Sequence, residues 1–111
     1  MLEPLKDLIA GKRPVGAKRS SQWPKVRAFH LSLHPVCELC GSSEKVEVHH
    51  IVSFHVDPAL ELSLENLITL CESKRVGIDC HRAFGHLGNY KKSNPRVSED
   101  VAYMKLRFAK P

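Results

Sequence analysis

The sequence lacks the features that place a protein in a membrane or outside the cell. It has no run of about eighteen apolar residues, so we expect no membrane-spanning helix. Its first ten residues carry Glu3, Lys6 and Asp7 where a secretory signal has an apolar stretch. We therefore expect a cytoplasmic protein, of prokaryotic or phage-like type, whose cysteines stay reduced.

Aromatic and apolar residues are also scarce. The 111 residues are enough for one domain, but only 42% are hydrophobic and 6% aromatic. A core of this size is helped by a cross-link. The four cysteines could supply it as one zinc site or as two disulfides, or they could be free buried thiols. A reducing compartment favours the metal.

Acidic residues are missing from two stretches of the chain. Lys12 to Arg27 holds six Lys or Arg and no acid, and Lys74 to Arg96 holds six more against Asp79 alone. With a net charge of +5, such blocks suit a polyanionic partner, although a solvated surface would have the same composition. The candidate nucleic-acid contacts are Lys12, Arg13, Lys18, Arg19, Lys25, Arg27, Arg82, Lys91 and Lys92.

The hydrophobic pattern predicts an α+β fold without internal repeats. Alternation over 45–51 and the apolar run 67–70 predict two short antiparallel strands. Helices are predicted over 2–9, from Ser20 or Ser21 to about Leu33, over 80–85 and over 98–109. Helical spacing assigns two sets of residues to packing: Trp23, Val26, Phe29 (or His30) and Leu33, and Val101, Met104 and Phe108.

The cysteines have metal-ligand spacing. Cys37 and Cys40 form a Cys-x2-Cys pair, and Cys71 and Cys80 could complete a tetrahedron although eight residues separate them. Two common zinc modules do not fit. A zinc finger with two cysteines and two histidines needs about twelve residues between its second cysteine and first histidine, whereas nine lie between Cys40 and His50. A zinc deaminase needs His-x-Glu, which the sequence lacks.

Five of the seven histidines fall in the same window as the cysteines. The strand alternation predicts that His49 and His50 point in opposite directions. We expect His30, His34 and His55 to be structural or exposed. The remaining polar set is His49, His50, Asn66, His81 and His86. A neutral imidazole can take a proton from water near pH 7, and imidazole-rich ligation suits Mn²⁺, Ni²⁺, Co²⁺ or Zn²⁺ beside Mg²⁺.

Three segments of the chain together resemble the HNH endonucleases, specifically their zinc-bearing four-cysteine branch. They are Val48-His49-His50-Ile51, Glu65-Asn66-Leu67-Ile68-Thr69-Leu70-Cys71 and Cys80-His81, preceded by Cys37-x2-Cys40. The resemblance implies a small ββα-metal core, a strand hairpin plus a helix, stapled by a zinc site of four cysteines. It divides the chain into an N-terminal helix and basic arm (1–21), a nuclease domain (22–97) and a C-terminal helix (98–111).

The resemblance also implies roles for the histidine set. His49 and His81 would be ligands of a catalytic ion, His50 the general base, and Asn66 the residue that orients the base and its loop. Some relatives use a further histidine one helical turn after His81, where this chain has Gly85. His86 lies one residue later, about 140° from His81 on an ideal α-helix, so its ligation would require a distorted helix. Otherwise His86 would contact phosphate.

The function implied is hydrolysis of DNA, expected to be double-stranded, with 5′-phosphate and 3′-hydroxyl products. Zn²⁺ would be structural, and Mg²⁺, Mn²⁺ or another divalent ion catalytic. The alternatives are a zinc-stabilised nucleic-acid-binding module without catalysis and a protein-interaction scaffold. The oligomeric state stays open, with a monomer slightly favoured.

Overall fold

The computed structural model describes residues 18–109, with side chains as far as residue 107. The predicted helix over 2–9, the basic residues Lys12 and Arg13, and the side chain of Phe108 lie outside this range. Two antiparallel strands, β1 (Val46–His50) and β2 (Leu67–Cys71), form the predicted hairpin. Helix α1 (Trp23–Leu33) precedes the strands, and helix α2 (Val97–Ala109) ends the described chain. The α+β prediction is confirmed.

The hairpin register determines which residues face each other. His49 pairs with Ile68 and His50 with Leu67. Between the strands, the connection contains two short 3-10 turns, Pro58–Leu60 and Leu64–Asn66. The carboxylate of Asp57 accepts a hydrogen bond from the Ala59 amide, which fixes the first turn. This connection therefore returns beside the end of β1 that carries the two histidines.

After the hairpin, the chain forms a single π-helical turn, His81–Gly85. The sequence predicts a helix over 80–85 at this place. Asp79 caps it, because its Oδ1 accepts a hydrogen bond of 2.9 Å from the amide of Arg82. Shortly after the turn, Leu87 and Gly88 have φ values of +52° and +82°, so the backbone leaves the helical conformation there.

The core lies between β2, the Cys37–Gly41 turn and α2. Leu70, Cys71, Cys80 and Val97 are fully buried there. Val101 also packs into this core as the helical spacing predicts, and Met104 lies partly buried against it. Within residues 18–109, no helix combines the length and the apolar character needed to cross a bilayer.

The predicted packing face of α1 is partly wrong. Phe29 and Leu33 are 52% and 57% exposed, whereas His30 is buried. The ring of His30 hydrogen-bonds the hydroxyl of Thr69 at 3.0 Å, and that hydroxyl donates to the carbonyl of His34 at 2.7 Å. A polar partner on β2 thus turns the helix so that its histidine faces inward. Apolar spacing alone left Phe29 and His30 as alternatives, and this hydrogen bond decides between them.

Candidate metal centres and catalytic cleft

The four cysteines meet in one cluster, with one sulfur atom from each lying within 4.8 Å of the others. The Cys37–Gly41 turn is closed by a hydrogen bond from the Gly41 amide to the Cys37 carbonyl, and Gly41 has φ +79°. The amide of Glu38 donates a hydrogen bond of 2.9 Å to the carbonyl of Thr69, which attaches this turn to β2. Strand β2 ends at Cys71. The fold therefore brings both halves of the ligand set together.

The long spacer between Cys71 and Cys80 is accommodated as a loop. The amide of its first residue, Glu72, donates a hydrogen bond to the carbonyl of Lys45, which extends the pairing of the hairpin by one residue. A turn over Lys74–Gly77 then reverses the chain. Cys80 is then buried among the other three cysteines. The eight-residue spacing therefore makes a longer loop but still places the sulfur of Cys80 in the cluster.

The geometry of the cysteine cluster suits one ion better than a disulfide. The Sγ atoms of Cys40 and Cys71 are 3.4 Å apart, well beyond the about 2.05 Å of an S–S bond. Four sulfurs at about 2.3 Å from a tetrahedral zinc lie about 3.8 Å apart. Burial and the neighbouring sulfurs raise the pKa of Cys80. Four thiolates are therefore unfavourable here without a cation.

Three histidines form a second cluster. One ring nitrogen from each of His49, His81 and His86 lies within 4.8 Å of the other two. Nε2 of His81 is 3.2 Å from Nδ1 of His49 and 3.2 Å from Nε2 of His86. Imidazole nitrogens that share one ion at about 2.1 Å are about 3.0–3.4 Å apart.

The π-helical turn explains how His86 joins His81. On an α-helix, residues five apart diverge, but a π-helix pairs residue i with residue i+5. The turn His81–Gly85 therefore brings His86, immediately after it, back to the side of His81. The helix distortion that the sequence required for this contact is present.

Gly85 lies one helical turn after His81 and directly before His86. A Cβ atom placed on Gly85 would lie 3.0 Å from both Cε1 and Nδ1 of His49. Real Cβ atoms are rarely so close to other atoms, so the His49 ring needs the space left by the missing side chain. The absence of a side chain at Gly85 therefore leaves room for the His49 ring, and the next residue, His86, supplies the third imidazole of the cluster.

Hydrogen bonds on the far side of two rings determine which nitrogens face the cluster. Nδ1 of His81 donates to the carboxylate of Glu72 at 3.0 Å, and Nδ1 of His86 donates to the carbonyl of Lys92 at 2.8 Å. In the neutral rings, both Nε2 atoms therefore carry lone pairs. Two lone pairs 3.2 Å apart repel each other unless a cation or a proton lies between them.

His49 is the buried member of this cluster. Its Nε2 is enclosed and has no hydrogen-bond partner among the described residues. Burial, followed by the nearby rings of His81 and His86, lowers the pKa of His49 to about 3. The ring is consequently neutral at physiological pH and available as a ligand.

His50 points away from these three histidines. Its Nε2 is 2.9 Å from the carbonyl of Glu61, and because a carbonyl only accepts, Nε2 carries the hydrogen and Nδ1 the lone pair. The ring lies against Trp23, with 4.4 Å between centroids. Burial lowers the pKa of His50, with the charge of Arg19 acting in the same direction. Nδ1 can therefore accept a proton at neutral pH.

One open cleft of about 460 Å³ is lined by both His50 and the three-histidine cluster. Comparison with protein families matched residues 37–86 to the HNH endonuclease model. This segment is similar to the HNH endonuclease family. It covers just under half of the chain and contains every cysteine together with His49, His50, Asn66, His81 and His86. No curated protein and no solved structure matched the chain.

Within the matched segment, Asn66 is buried, and its side chain forms hydrogen bonds only with backbone groups. Its Oδ1 accepts from the Val52 amide at 2.8 Å, and its Nδ2 donates to the carbonyls of Val52 and Leu60 at 3.0 and 3.2 Å. These bonds close the loop between the strands at both ends. The carbonyl that holds His50 comes from Glu61, the next residue after Leu60. Asn66 thus contacts the loop and not the His50 ring.

The predicted basic contacts separate into groups. Arg19, Lys91 and Lys92 line the cleft that also contains the histidines. Lys18 and Lys25 are exposed outside it, Arg27 is 3.6 Å from Glu47, and Arg82 donates to the Gly88 carbonyl.

Several residues around the cleft were not found from the sequence. Glu72 accepts hydrogen bonds of 3.0 Å from both His81 and the hydroxyl of Tyr90. The carboxylate of Glu61 is buried beside His50. Neither residue has a local motif, because both meet the histidines through contacts between distant parts of the chain. The only sequence signal for either residue is that Glu72 directly follows Cys71, one of the predicted zinc ligands.

Proposed function

We propose that this HNH domain is a metal-dependent endonuclease that hydrolyses double-stranded DNA. The observation that supports it best is the pair of oppositely directed histidine sites at one cleft. Three imidazoles converge on one side, and a neutral histidine with an available Nδ1 lies on the other. A non-catalytic binding module has no need of this arrangement.

The three-histidine cluster fits a divalent cation through its donor set and its tautomers. His49, His81 and His86 would hold the ion, with Glu72 and the Lys92 carbonyl fixing two of the rings. When bound, such an ion supplies positive charge that stabilises a phosphate oxygen and the departing 3′ oxygen. Mg²⁺ or Mn²⁺ would serve, and histidine ligands also suit Ni²⁺, Co²⁺ and Zn²⁺.

His50 is the proposed general base. Its Nδ1 takes a proton from a water molecule, whose oxygen attacks the phosphorus. The bond between phosphorus and the 3′ oxygen breaks, and this oxygen takes a proton from solvent water, leaving a 5′-phosphate and a 3′-hydroxyl. The carbonyl of Glu61 keeps the ring in the required tautomer, and Asn66 acts as a positioning residue through the loop that carries this carbonyl.

The cysteine cluster is proposed to hold a structural Zn²⁺ ion. Cys37, Cys40, Cys71 and Cys80 make a closed set of four sulfurs, the arrangement typical of structural zinc. Three of the four are buried in the core, so the ion would stabilise the fold directly.

The test uses supercoiled plasmid incubated with purified protein and Mg²⁺ or Mn²⁺, with and without EDTA. We expect nicking that EDTA abolishes and that His50→Ala reduces by at least about a hundredfold, because proton transfer by a positioned base contributes about 10²–10⁴-fold. His34→Ala is the matched control, since this histidine is exposed at the end of α1. Undiminished nicking by His50→Ala would remove His50 from the mechanism. Absence of metal-dependent nicking by the unaltered protein would refute the nuclease proposal.

A further inference from the structure

A buried ion pair lies beside the proposed general base. The side chain of Glu61 is only 3% exposed, and its Oε2 accepts a hydrogen bond of 2.7 Å from Nε of Arg19. The amide of Ser20 donates to the same carboxylate, at 3.0 Å to Oε1. A buried carboxylate requires such partners because burial removes its hydration. The pair therefore fixes the chain that enters α1 against the loop between the strands.

The guanidinium of Arg19 is held on two further sides by aromatic rings. Its central carbon is 4.9 Å from the ring centroid of Phe54 and 5.5 Å from that of Trp23. Cation–π contacts of this kind operate within about 6 Å. Arg19 is thus fixed by one charged hydrogen bond and two rings, whereas most exposed arginines have a freely moving side chain.

Part of this fixed guanidinium stays available to a ligand. The Arg19 side chain is 48% exposed and lines the cleft together with His50 and the three-histidine cluster. Among residues 18–109, only its Nε donates a hydrogen bond, so Nη1 and Nη2 have no protein acceptor. Two parallel N–H donors on a planar, always charged group match the oxygens of a phosphate.

We propose that Arg19 binds a phosphate group of the DNA strand in the cleft, next to the phosphate that is cleaved. The inference rests on the proposed function, because it assumes that the cleft receives DNA. It assigns Arg19 a role distinct from that of Lys91 and Lys92, the other predicted basic contacts that line the cleft.

Glu61 then contacts both Arg19 and His50. Its side chain positions the phosphate-binding arginine, and its main-chain carbonyl positions the Nε2–H of the His50 ring. A phosphate on Arg19 would consequently be held at a fixed distance from the base. This coupling predicts that Arg19 contributes to the rate of cleavage at saturation and not only to affinity.

The first experiment measures DNA affinity against salt concentration, with short duplex DNA and the His50→Ala protein so that no cleavage occurs. Adding Arg19→Gln should lower the slope of log K against log salt by about 1, the change expected for one lost phosphate contact. Arg107→Gln removes the same charge from an exposed position on α2 outside the cleft and should leave the slope unchanged.

The second experiment measures single-turnover plasmid cleavage with His50 intact. Arg19→Gln should slow it on the order of tenfold or more, as loss of a preorganised donor does, while Arg107→Gln stays within about twofold of the unaltered rate. Because Arg19→Gln leaves the Glu61 carboxylate without its charged partner, the double variant Arg19→Gln/Glu61→Gln is measured beside it, with circular dichroism to check folding. A purely structural role would change stability but not the salt slope.

The outcomes separate this inference from the proposed function. An unchanged salt slope in the folded single and double variants overturns the phosphate role of Arg19, even if the unaltered protein cleaves DNA. A slope reduced by about 1 supports that role, and it does so even if the unaltered protein lacks metal-dependent nicking, a result that refutes the nuclease alone.

Discussion

Gly85→Ala tests the link between the π-helical turn and the metal site. The added Cβ would lie 3.0 Å from the His49 ring, about 0.7 Å inside an ordinary carbon–carbon contact of about 3.7 Å. If the ring and the turn share the adjustment equally, the ligand nitrogen moves by about 0.3–0.4 Å, whereas metal–ligand distances tolerate only about 0.2 Å. The substitution should therefore weaken binding of the catalytic ion.

Gly85→Ala is expected to change both the stability of the protein and its affinity for the catalytic ion. Overpacking of this kind costs about 1–3 kcal/mol of stability, and alanine returns about 0.4–1 kcal/mol by restricting the unfolded chain. The affinity for the catalytic ion should fall on the order of 10–100-fold, the loss seen when ligand orientation is disturbed. Titration calorimetry with Mn²⁺, on protein whose cysteine site is loaded with zinc, measures this directly.

Gly77→Ala is the matched control for Gly85→Ala. Gly77 has φ +88°, so alanine there is strained by about 1 kcal/mol, but no heavy atom lies within 4 Å of its Cβ position. We expect reduced stability with unchanged Mn²⁺ affinity. If Gly85→Ala bound Mn²⁺ as tightly as the unaltered protein, the argument that the missing side chain makes room for His49 would be wrong.

Three further predictions concern the supports of the two sites. Cys37→Ser should lose zinc and unfold, because ligation is coupled to folding; zinc content with circular dichroism checks this, and a native melting temperature would contradict it. Glu72→Gln should weaken Mn²⁺ binding about 10–100-fold in calorimetry, since it removes the carboxylate partner of His81. Tyr90→Phe removes only the other hydrogen bond to Glu72, so equal losses in the two variants would refute this explanation. Asn66→Ala should cost about 2–4 kcal/mol in urea unfolding, because three partly buried backbone groups lose their partner; a change below about 1 kcal/mol would show that the loop closes without it.

Local patterns predicted the elements that depend on local chemistry. The alternation around Val48 indicated a strand whose two histidines diverge, and the predicted helix over 80–85 contains the turn His81–Gly85. Side-chain orientation along α1 was predicted less well, because Phe29 and His30 are adjacent and both satisfy a helical stripe. The hydrogen bond of His30 to Thr69, thirty-nine residues away, decided which side faces the core.

The sequence by itself determined which residue types form the candidate sites and in what order: Cys-x2-Cys, the paired histidines, Asn66, then Cys80-His81. These follow from residue identity and short spacing. The tertiary structure decided how His86 reaches His81, because this requires a π-helical turn and the space at Gly85. It also decided that Glu72, the Lys92 carbonyl and the Glu61 carbonyl fix the imidazole tautomers. The physical reason is that these contacts join segments whose proximity depends on the packed hairpin and its loops, which no local spacing encodes.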